Sequence, residues 1–169
     1  MFDAEMLEHA RLVVEANRAA GLRIVTAESC TGGLVAGVLT EIPGSSDVVD
    51  RGFVTYSNEA KLESLGVNLD ILETFGAVSV AVAWAMAKGA LVHSHADVAV
   101  AVTGIAGPGG GSERKPVGMV VFAVAHRNDP PGEPVADTKF FGDLGRSEVR
   151  RQAVLCALEL LMPVAAGAP

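Results

Sequence analysis

Residues 23–40 read RIVTAESCTGGLVAGVLT, and this stretch decides how the chain folds. Residues 23–27 are mostly aliphatic or small and predict a short buried strand. The apolar run 34–39 predicts a helix that begins near Thr31 and ends before Pro43. A strand, a tight turn and a helix in this order are typical of an α/β domain.

The same alternation of helices and strands continues on both sides of this stretch. Helices are predicted at 4–20, stopped by Gly21, at a short segment capped by Asn58 and stopped by Gly66, at 79–93 and at 147–161. Strands are predicted at 48–56, 98–103, 119–125 and, at a sheet edge, 135–141, with a glycine-rich loop at 104–118, a turn at 128–133 and a frayed tail. We therefore expect one α/β domain over 1–169, with helices on both sheet faces.

Three chain segments follow strands in this arrangement. In α/β sheets, ligands bind in the crevice beyond the carboxyl ends of the strands. This rule selects the turn after Ala27, the turn after Tyr56 and the loop after Thr103 as places for a functional site.

Composition and charge exclude several classes of function. The net charge of -7 opposes binding to nucleic acids, which depends on a basic face. Two cysteines, Cys30 and Cys156, do not suggest a disulfide framework. Acidic and basic residues are spread through the first twenty positions, so these form neither an export signal nor a membrane span. We expect a cytoplasmic protein that does not interact with membranes.

The turn Glu28–Gly33 is a candidate site for an anion. It joins a strand end to a helix start, where free N–H groups favour a phosphate or the oxyanion of an acyl transfer. Ser29 is placed there as a candidate nucleophile. Capping of the helix by Ser29 or Thr31 explains the local sequence equally well.

A nucleophilic serine needs a base, and the best candidate is Lys61, because all four histidines lie outside the three strand-end segments. A lysine base requires a pKa lowered from about 10.4 toward about 7 to 8. Burial beside Phe53, Val54 and Tyr56 can lower it, and the Tyr56 hydroxyl can hydrogen-bond the amine or pass a proton to the leaving group. The commoner alternative is a solvated lysine paired with Glu59 or Glu63.

Two other chemistries compete with a serine nucleophile. Cys30 is the rival nucleophile, because donors at a helix start lower the pKa of a thiol, although no histidine partner is evident. Metal catalysis is not predicted, because no group of His, Cys, Asp and Glu has the spacing of metal ligands. The loop after Thr103 and the arginines 146, 150 and 151 are either phosphate contacts or ordinary loop and surface residues.

Four motifs taken together resemble one family. They are AESCTGG at 27–33, YSNEAK at 56–61, TGIAGPGG at 103–110 and KPVG at 115–118. In this order and spacing they resemble the CinA C-terminal domain family, the nicotinamide-nucleotide amidohydrolases, over nearly the whole chain.

The resemblance implies a fold and an activity. It implies a three-layer α/β/α sandwich with a mostly parallel or mixed sheet, which hydrolyses the carboxamide of nicotinamide mononucleotide to nicotinate mononucleotide and ammonia in pyridine-nucleotide recycling. It further implies no cofactor, a homodimer, Ser29 as nucleophile, Lys61 as base and Tyr56 as a supporting catalytic residue. The alternative is a non-catalytic nucleotide-binding domain related to competence/damage-inducible CinA proteins. The candidate substrate-binding residues are Glu28, Cys30, Thr31, Gly32, Gly33, Thr103, Gly104, Ile105, Ala106, Gly107, Pro108 and Arg146.

Overall fold

The structure, a computed structural model, describes residues 1–128 and 135–163. Within these ranges, helices and strands follow one another along the chain as in an α/β domain. The helices are α1 Ala4–Ala20, α2 Leu34–Thr40, α3 Asn58–Leu65, α4 Leu69–Phe75, α5 Val80–Val92 and α6 Arg146–Leu160. The strands are β1 Ile24–Glu28, β2 Val49–Val54, β3 Val98–Gly104, β4 Met119–His126 and β5 Val135–Phe140.

The five strands form one mixed sheet in the order β2-β1-β3-β4-β5. β1 pairs in parallel with both β2 and β3, whereas the pairs β3–β4 and β4–β5 are antiparallel. The mixed sheet follows from the connections, because helices join the parallel strands, whereas the segment between β3 and β4 contains no helix.

Helices cover both faces of the sheet, so the predicted three-layer α/β/α architecture is confirmed. Successive side chains of a strand point to opposite faces. On β3, Val98, Val100 and Val102 therefore pack in one core with α1, α2 and α6, while Ala99 and Ala101 pack in a second core with α3, α4 and α5.

The secondary structure differs from the sequence prediction at several positions. β2 ends at Val54 and not at Tyr56, and α2 begins at Leu34 and not near Thr31. β1 begins and ends one residue later than predicted, so Glu28 is part of the strand. Ser57, and not Asn58, caps α3, because its side chain accepts a hydrogen bond from the amide of Ala60. No element was predicted at α4, Leu69–Phe75. The predicted turn 128–133 and frayed tail lie almost entirely outside the described residues.

The topology brings several helix starts to one edge of the sheet, namely the edge formed by the carboxyl ends of the parallel strands. β1, β2 and β3 all end there, since they are parallel, and their register places Glu28 beside Val54 and Val102. The starts of α2, α3, α5 and α6 follow at the same edge. No helix among the described residues has the length and apolar character needed to cross a bilayer.

Candidate active site

A cavity of about 200 Å³ opens at this edge of the sheet. Its walls come from the three strand-end segments selected by the sequence, together with residues before α5 and at the start of α6. The lining residues are Ser29, Cys30, Tyr56, Lys61, Ala77, Val78, Thr103, Gly104, Ala106 and Arg146. A larger cavity of about 480 Å³ lies at the opposite edge, near Asp97 and Arg127. Only the smaller one contains Ser29 and Lys61.

Ser29 and Lys61 form a buried pair at the bottom of this cavity. Lys61 Nζ lies 3.0 Å from Ser29 Oγ and 2.7 Å from the carbonyl oxygen of Thr55, and it is 3.4 Å from that of Tyr56. A neutral amine has two N–H bonds and one lone pair. When the two carbonyl oxygens accept the N–H bonds, the lone pair is directed at the Ser29 hydroxyl, which is the geometry of a base beside its nucleophile.

Burial shifts the pKa of the Lys61 amine. The side chain is 1% exposed, and loss of solvation lowers the pKa of its amine, although the neighbouring Cys30 thiol opposes the effect. Among the described residues no carboxylate forms an ion pair with Lys61, so the pairing with Glu59 or Glu63 weighed above is not formed. A lysine kept from water and from counter-ions is suited to act as a base.

The burial of Lys61 has a different source from the one predicted. Of the three predicted neighbours, Phe53 packs half-buried against the core below α5, whereas the side chains of Val54 and Tyr56 are 54% and 61% exposed and contribute little to burial of the amine. Lys61 lies on α3, which packs against α5, and its amine shares the cavity with Ala77 and Val78. The source was missed because α4 and the turn after it were not predicted.

Cys30 lines the cavity as a buried thiol. Burial, which is the largest effect, and the nearby charge of Glu28 raise the pKa of this thiol to about 12. The backbone amides of Cys30 and Thr31 do lower the pKa of the thiol, as predicted, but burial outweighs them. A thiol that stays protonated is a poor nucleophile, which leaves Ser29 as the better candidate.

Glu28 does not reach the cavity. Its carboxylate is fully buried and accepts hydrogen bonds from the amides of Gly33, Val35 and Ala36 at 3.0, 3.1 and 2.9 Å, and from the Thr26 hydroxyl at 3.1 Å. The free N–H groups expected to bind a substrate anion at the start of α2 are thus occupied by a carboxylate of the protein itself. The prediction of Glu28 as a substrate-binding residue is not supported.

Thr31, Gly32 and Gly33 shape the turn and do not line the cavity. Gly32 and Gly33 have φ angles of +59° and +92°, which favour glycine, and they turn the chain from β1 into α2. The Thr31 side chain is buried, caps nothing among the described residues, and its carbonyl oxygen accepts a hydrogen bond from Arg150 at 2.9 Å. Capping of α2 by Ser29 or Thr31 is therefore not formed.

Tyr56 and Arg146 form the outer rim of the cavity. Arg146 donates to the Tyr56 hydroxyl at 2.9 Å and to the carbonyl oxygen of Gly107 at 3.0 Å. The Tyr56 hydroxyl thus contacts the guanidinium and not the amine of Lys61, which instead lies near the Tyr56 carbonyl oxygen. Arg146 links the segment after β2 to the glycine-rich loop.

The glycine-rich loop contributes part of the wall. Thr103, Gly104 and Ala106 line the cavity, whereas the predicted contacts Ile105, Gly107 and Pro108 do not. The Thr103 hydroxyl donates to the carbonyl oxygen of Ala77 at 2.8 Å and so holds the turn before α5 against the loop. Ala77 and Val78 were missed because small apolar side chains carry no chemical signal, although the Ser79 cap marks the turn they belong to.

The site contains no evident metal centre. Across residues 1–128 and 135–163, no three or more His, Cys, Asp or Glu side chains are placed to hold a metal ion together. Its chemistry is that of a hydroxyl, a desolvated amine and backbone amides.

The chain is similar to known proteins of one family. The family model for the CinA C-terminal domain matches residues 6–165. The nicotinamide-nucleotide amidohydrolase PncC of Escherichia coli (strain K12) is 51% identical over 162 residues, which cover 95% of this chain and 95% of that protein. A CinA-like protein of Mycobacterium avium (strain 104) is 55% identical over 144 residues, and these are 84% of this chain but 33% of that longer protein.

Solved structures give the same grouping. The crystal structure of the competence/damage inducible protein CihA from Agrobacterium tumefaciens matches with a TM-score of 0.90 and 55% identity, covering 95% of this chain and 96% of that one. A CinA superfamily protein from Klebsiella pneumoniae matches with a TM-score of 0.86 and 37% identity, covering 92% of this chain and 94% of that one.

Proposed function

The chain belongs to the CinA C-terminal domain family, and on this basis we propose that it is an amidohydrolase that converts nicotinamide mononucleotide to nicotinate mononucleotide and ammonia. The relative PncC, named a nicotinamide-nucleotide amidohydrolase, covers nearly the whole chain at 51% identity. The observation that carries the mechanism is the 3.0 Å contact between Lys61 Nζ and Ser29 Oγ in a buried site. Ser29 acts as the nucleophile and Lys61 as the base.

The first step forms an ester. Neutral Lys61 takes the hydroxyl proton of Ser29, and Oγ attacks the carbonyl carbon of the carboxamide. The carbonyl π electrons move onto oxygen, giving a tetrahedral intermediate with one negative charge. Two carbonyl oxygens fix Lys61 Nζ, so the proton moves without a rearrangement of the base.

The oxyanion needs hydrogen-bond donors. The amides of Gly33, Val35 and Ala36 are unavailable, because Glu28 accepts from all three. The amides of Cys30 and Thr31 are the adjacent candidates, since neither donates to an oxygen atom within the described part of the chain. We assign the oxyanion to these two amides, which follow the nucleophile directly.

The second half of the reaction releases the products and regenerates the free enzyme. The intermediate collapses, the carbon–nitrogen bond breaks, and the Lys61 ammonium gives its proton to the departing nitrogen, so that ammonia leaves. Lys61 is then neutral again and takes a proton from a water molecule that attacks the nicotinoyl ester. The bond between the acyl carbon and Ser29 Oγ breaks, and the proton returns to Ser29.

The size of the cavity supports one orientation of the substrate. Complete sites for drug-sized ligands have volumes of about 300–1,000 Å³, whereas this cavity has about 200 Å³. It therefore takes the carboxamide and pyridine end, and the ribose phosphate lies toward the rim at Arg146. Small walls from Ala77, Val78 and Ala106 leave room for a flat ring.

The test is the release of ammonia from nicotinamide mononucleotide, with chelator present. Wild type and Cys30→Ser are expected to turn over, while Ser29→Ala and Lys61→Ala are expected to lose at least about 10³-fold in kcat. A fully active Ser29→Ala protein contradicts the mechanism. Loss in Cys30→Ser alone moves the nucleophile to Cys30, dependence on chelator indicates a metal hydrolase, and tight binding without turnover indicates the non-catalytic nucleotide-binding domain.

The remaining expectations are part of the same proposal. The protein acts as a single domain without a cofactor, as a homodimer in the cytoplasm, and binds neither nucleic acid nor membrane. Sedimentation of the purified protein and fractionation of cells test the assembly and the location.

A further inference from the structure

Glu28 combines complete burial with complete hydrogen bonding. Its side chain is 0% exposed, and each carboxylate oxygen accepts two hydrogen bonds. Oε1 holds the Thr26 hydroxyl and the Ala36 amide, while Oε2 holds the Gly33 and Val35 amides. This arrangement suits an ionised carboxylate, which only accepts, and it leaves no position on either oxygen for a substrate.

The Glu28 carboxylate connects the end of β1 to the start of α2, and Ser29 lies between these two elements. The backbone of Glu28 is fixed in the sheet, where its carbonyl oxygen accepts from the Thr55 amide at 2.8 Å. The side chain is fixed to the first turn of α2. Ser29 is therefore part of a short loop whose two ends are joined by one side chain, and the Ser29 amide is held by Val102 at 2.9 Å.

We propose that Glu28 is a positioning residue for Ser29, because its carboxylate ties the start of α2 to the end of β1 and so fixes the turn that presents the nucleophile. This inference rests on the proposed function. It gives the carboxylate a role without contact to the substrate, in place of the substrate-binding role predicted from the sequence.

The same carboxylate bears on the neighbouring thiol. The charge of Glu28 contributes to the raised pKa of Cys30, after the larger effect of burial. A hydroxyl does not need to ionise before attack when a base removes its proton, whereas a thiol reacts as the thiolate. The carboxylate therefore favours the Ser29 hydroxyl over the thiol next to it.

The experiment replaces the carboxylate by an amide of the same shape. In Glu28→Gln, one oxygen becomes an NH₂ group that opposes a backbone N–H donor, so the turn is no longer held on both sides. We expect kcat to fall about 10²-fold, as for a displaced catalytic group, while KM changes by less than about threefold. Glu41→Gln is the matched control, because Glu41 is exposed at the other end of α2 and the change in charge is the same.

A second readout does not depend on turnover. Iodoacetamide is used to label both thiols, and peptide mass spectrometry gives the labelling rate of Cys30 relative to that of Cys156. We expect the ratio to rise at least about fivefold in Glu28→Gln, because the neighbouring charge is lost and the turn is looser. Cys156, half-buried on α6, reports general opening of the structure.

The outcomes separate this inference from the proposed function. An active wild type with an equally active Glu28→Gln protein overturns the inference and leaves the function standing. An inactive wild type with a raised Cys30 ratio in Glu28→Gln overturns the function and supports the role of Glu28 in the turn. If Glu28→Gln does not fold, Thr26→Val removes one donor to Oε1; a kcat lower by about threefold or more with unchanged KM supports the inference, and an unchanged kcat overturns it.

Discussion

Lys61 Nζ lies 3.0 Å from Ser29 Oγ, although the two residues are 32 positions apart in the chain. The contact exists because β1 and β2 are parallel neighbours, so the turn after β1 and the helix after β2 begin at the same edge of the sheet. Any change to this pairing or to the packing of α3 is therefore expected to change the chemistry.

The dependence of the rate on pH tests the protonation of Lys61. Because burial lowers the pKa of the amine below its ordinary value of 10.5, kcat/KM is expected to rise with pH as the amine becomes neutral and to level off below pH 10.5. Lys61→Arg keeps a charge that is not lost at these pH values, and it is expected to be inactive throughout. Ammonia release between pH 6 and 10 gives both profiles, and an active Lys61→Arg protein would falsify the assignment.

The lowered pKa of Lys61 is also expected to make the free energy of unfolding depend on pH. The folded pKa of Lys61 is lowered, so between that value and about 10.5 the unfolded chain binds more protons, and the free energy of unfolding rises with pH. Lys61→Met lacks this contribution. The difference in unfolding free energy, wild type minus Lys61→Met, is expected to increase by up to about 1.4 kcal/mol per pH unit in this window and to be constant below it.

Urea unfolding at several pH values measures this difference. Lys88→Met is the matched control, since Lys88 is an exposed lysine on α5, with its amine over the Trp84 ring. An identical pH dependence for both variants means that the effect does not come from Lys61.

Gly89 sets the distance between α5 and α3. A Cβ added at Gly89 would lie 2.0 Å from the carbonyl oxygen of Leu65, at the end of the helix that carries Lys61. We expect Gly89→Ala to lower the free energy of unfolding by about 1–3 kcal/mol, despite the higher helix propensity of alanine, and to lower kcat by displacing α3.

Gly37→Ala is the control for this change, because Gly37 also lies inside a helix but a Cβ there meets only two ring carbons of Phe2, at 3.2 and 3.9 Å. Thermal unfolding and turnover of both variants compare the two positions. Equal stability of the two would show that the contact with Leu65 adapts without cost.

Substitutions of Tyr56 and Arg146 are expected to have coupled effects on kcat/KM. Their 2.9 Å hydrogen bond means that Tyr56→Phe and Arg146→Gln remove the same interaction. We expect each change to lower kcat/KM and the double variant to lose less than the product of the two effects, with a coupling energy of about 0.5–1.5 kcal/mol. The control pairs Tyr56→Phe with the substitution Arg114→Gln, since Arg114 is an exposed arginine of the glycine-rich loop. Strictly multiplicative effects in the first pair would speak against the contact.

Much of the fold was predictable because its periodicity is local. α1 has the apolar spacing of a helix with a stop at Gly21, α5 is alanine-rich and capped by Ser79, and α6 is amphipathic. β3 and β4 are continuous apolar strands buried on both faces. The short amphipathic segment Leu69–Phe75 was not recognised, because seven residues give too little periodicity to separate a helix from a loop.

Candidate site residues were predictable from the sequence where their side chains are chemically reactive. Hydrogen-bond partners that lie far apart in the chain were not predictable. Ser29 and Lys61 were found from strand-end positions and from the four motifs. The role of Glu28 was not predicted. β1 was expected to end at Ala27, whereas it includes Glu28, whose side chain accepts hydrogen bonds from amides at the start of α2. The partner of the Tyr56 hydroxyl was not predicted either, since Arg146 is 90 positions away.

The glycine-rich loop connects two neighbouring antiparallel strands, and its ends are held by hydrogen bonds between Ile105 and Met119 and between Gly118 and Ile105. The part of this loop from Gly109 to Arg114 is exposed. Lengthening it costs the entropy of closing a longer loop, which grows slowly with length, and leaves the sheet pairing and the contact between Gly107 and Arg146 unchanged. Ser29 and Lys61 lie on other segments. On the proposed function, recognition of new carboxamides can therefore be engineered by grafting loops between Gly109 and Arg114 without altering Ser29 and Lys61.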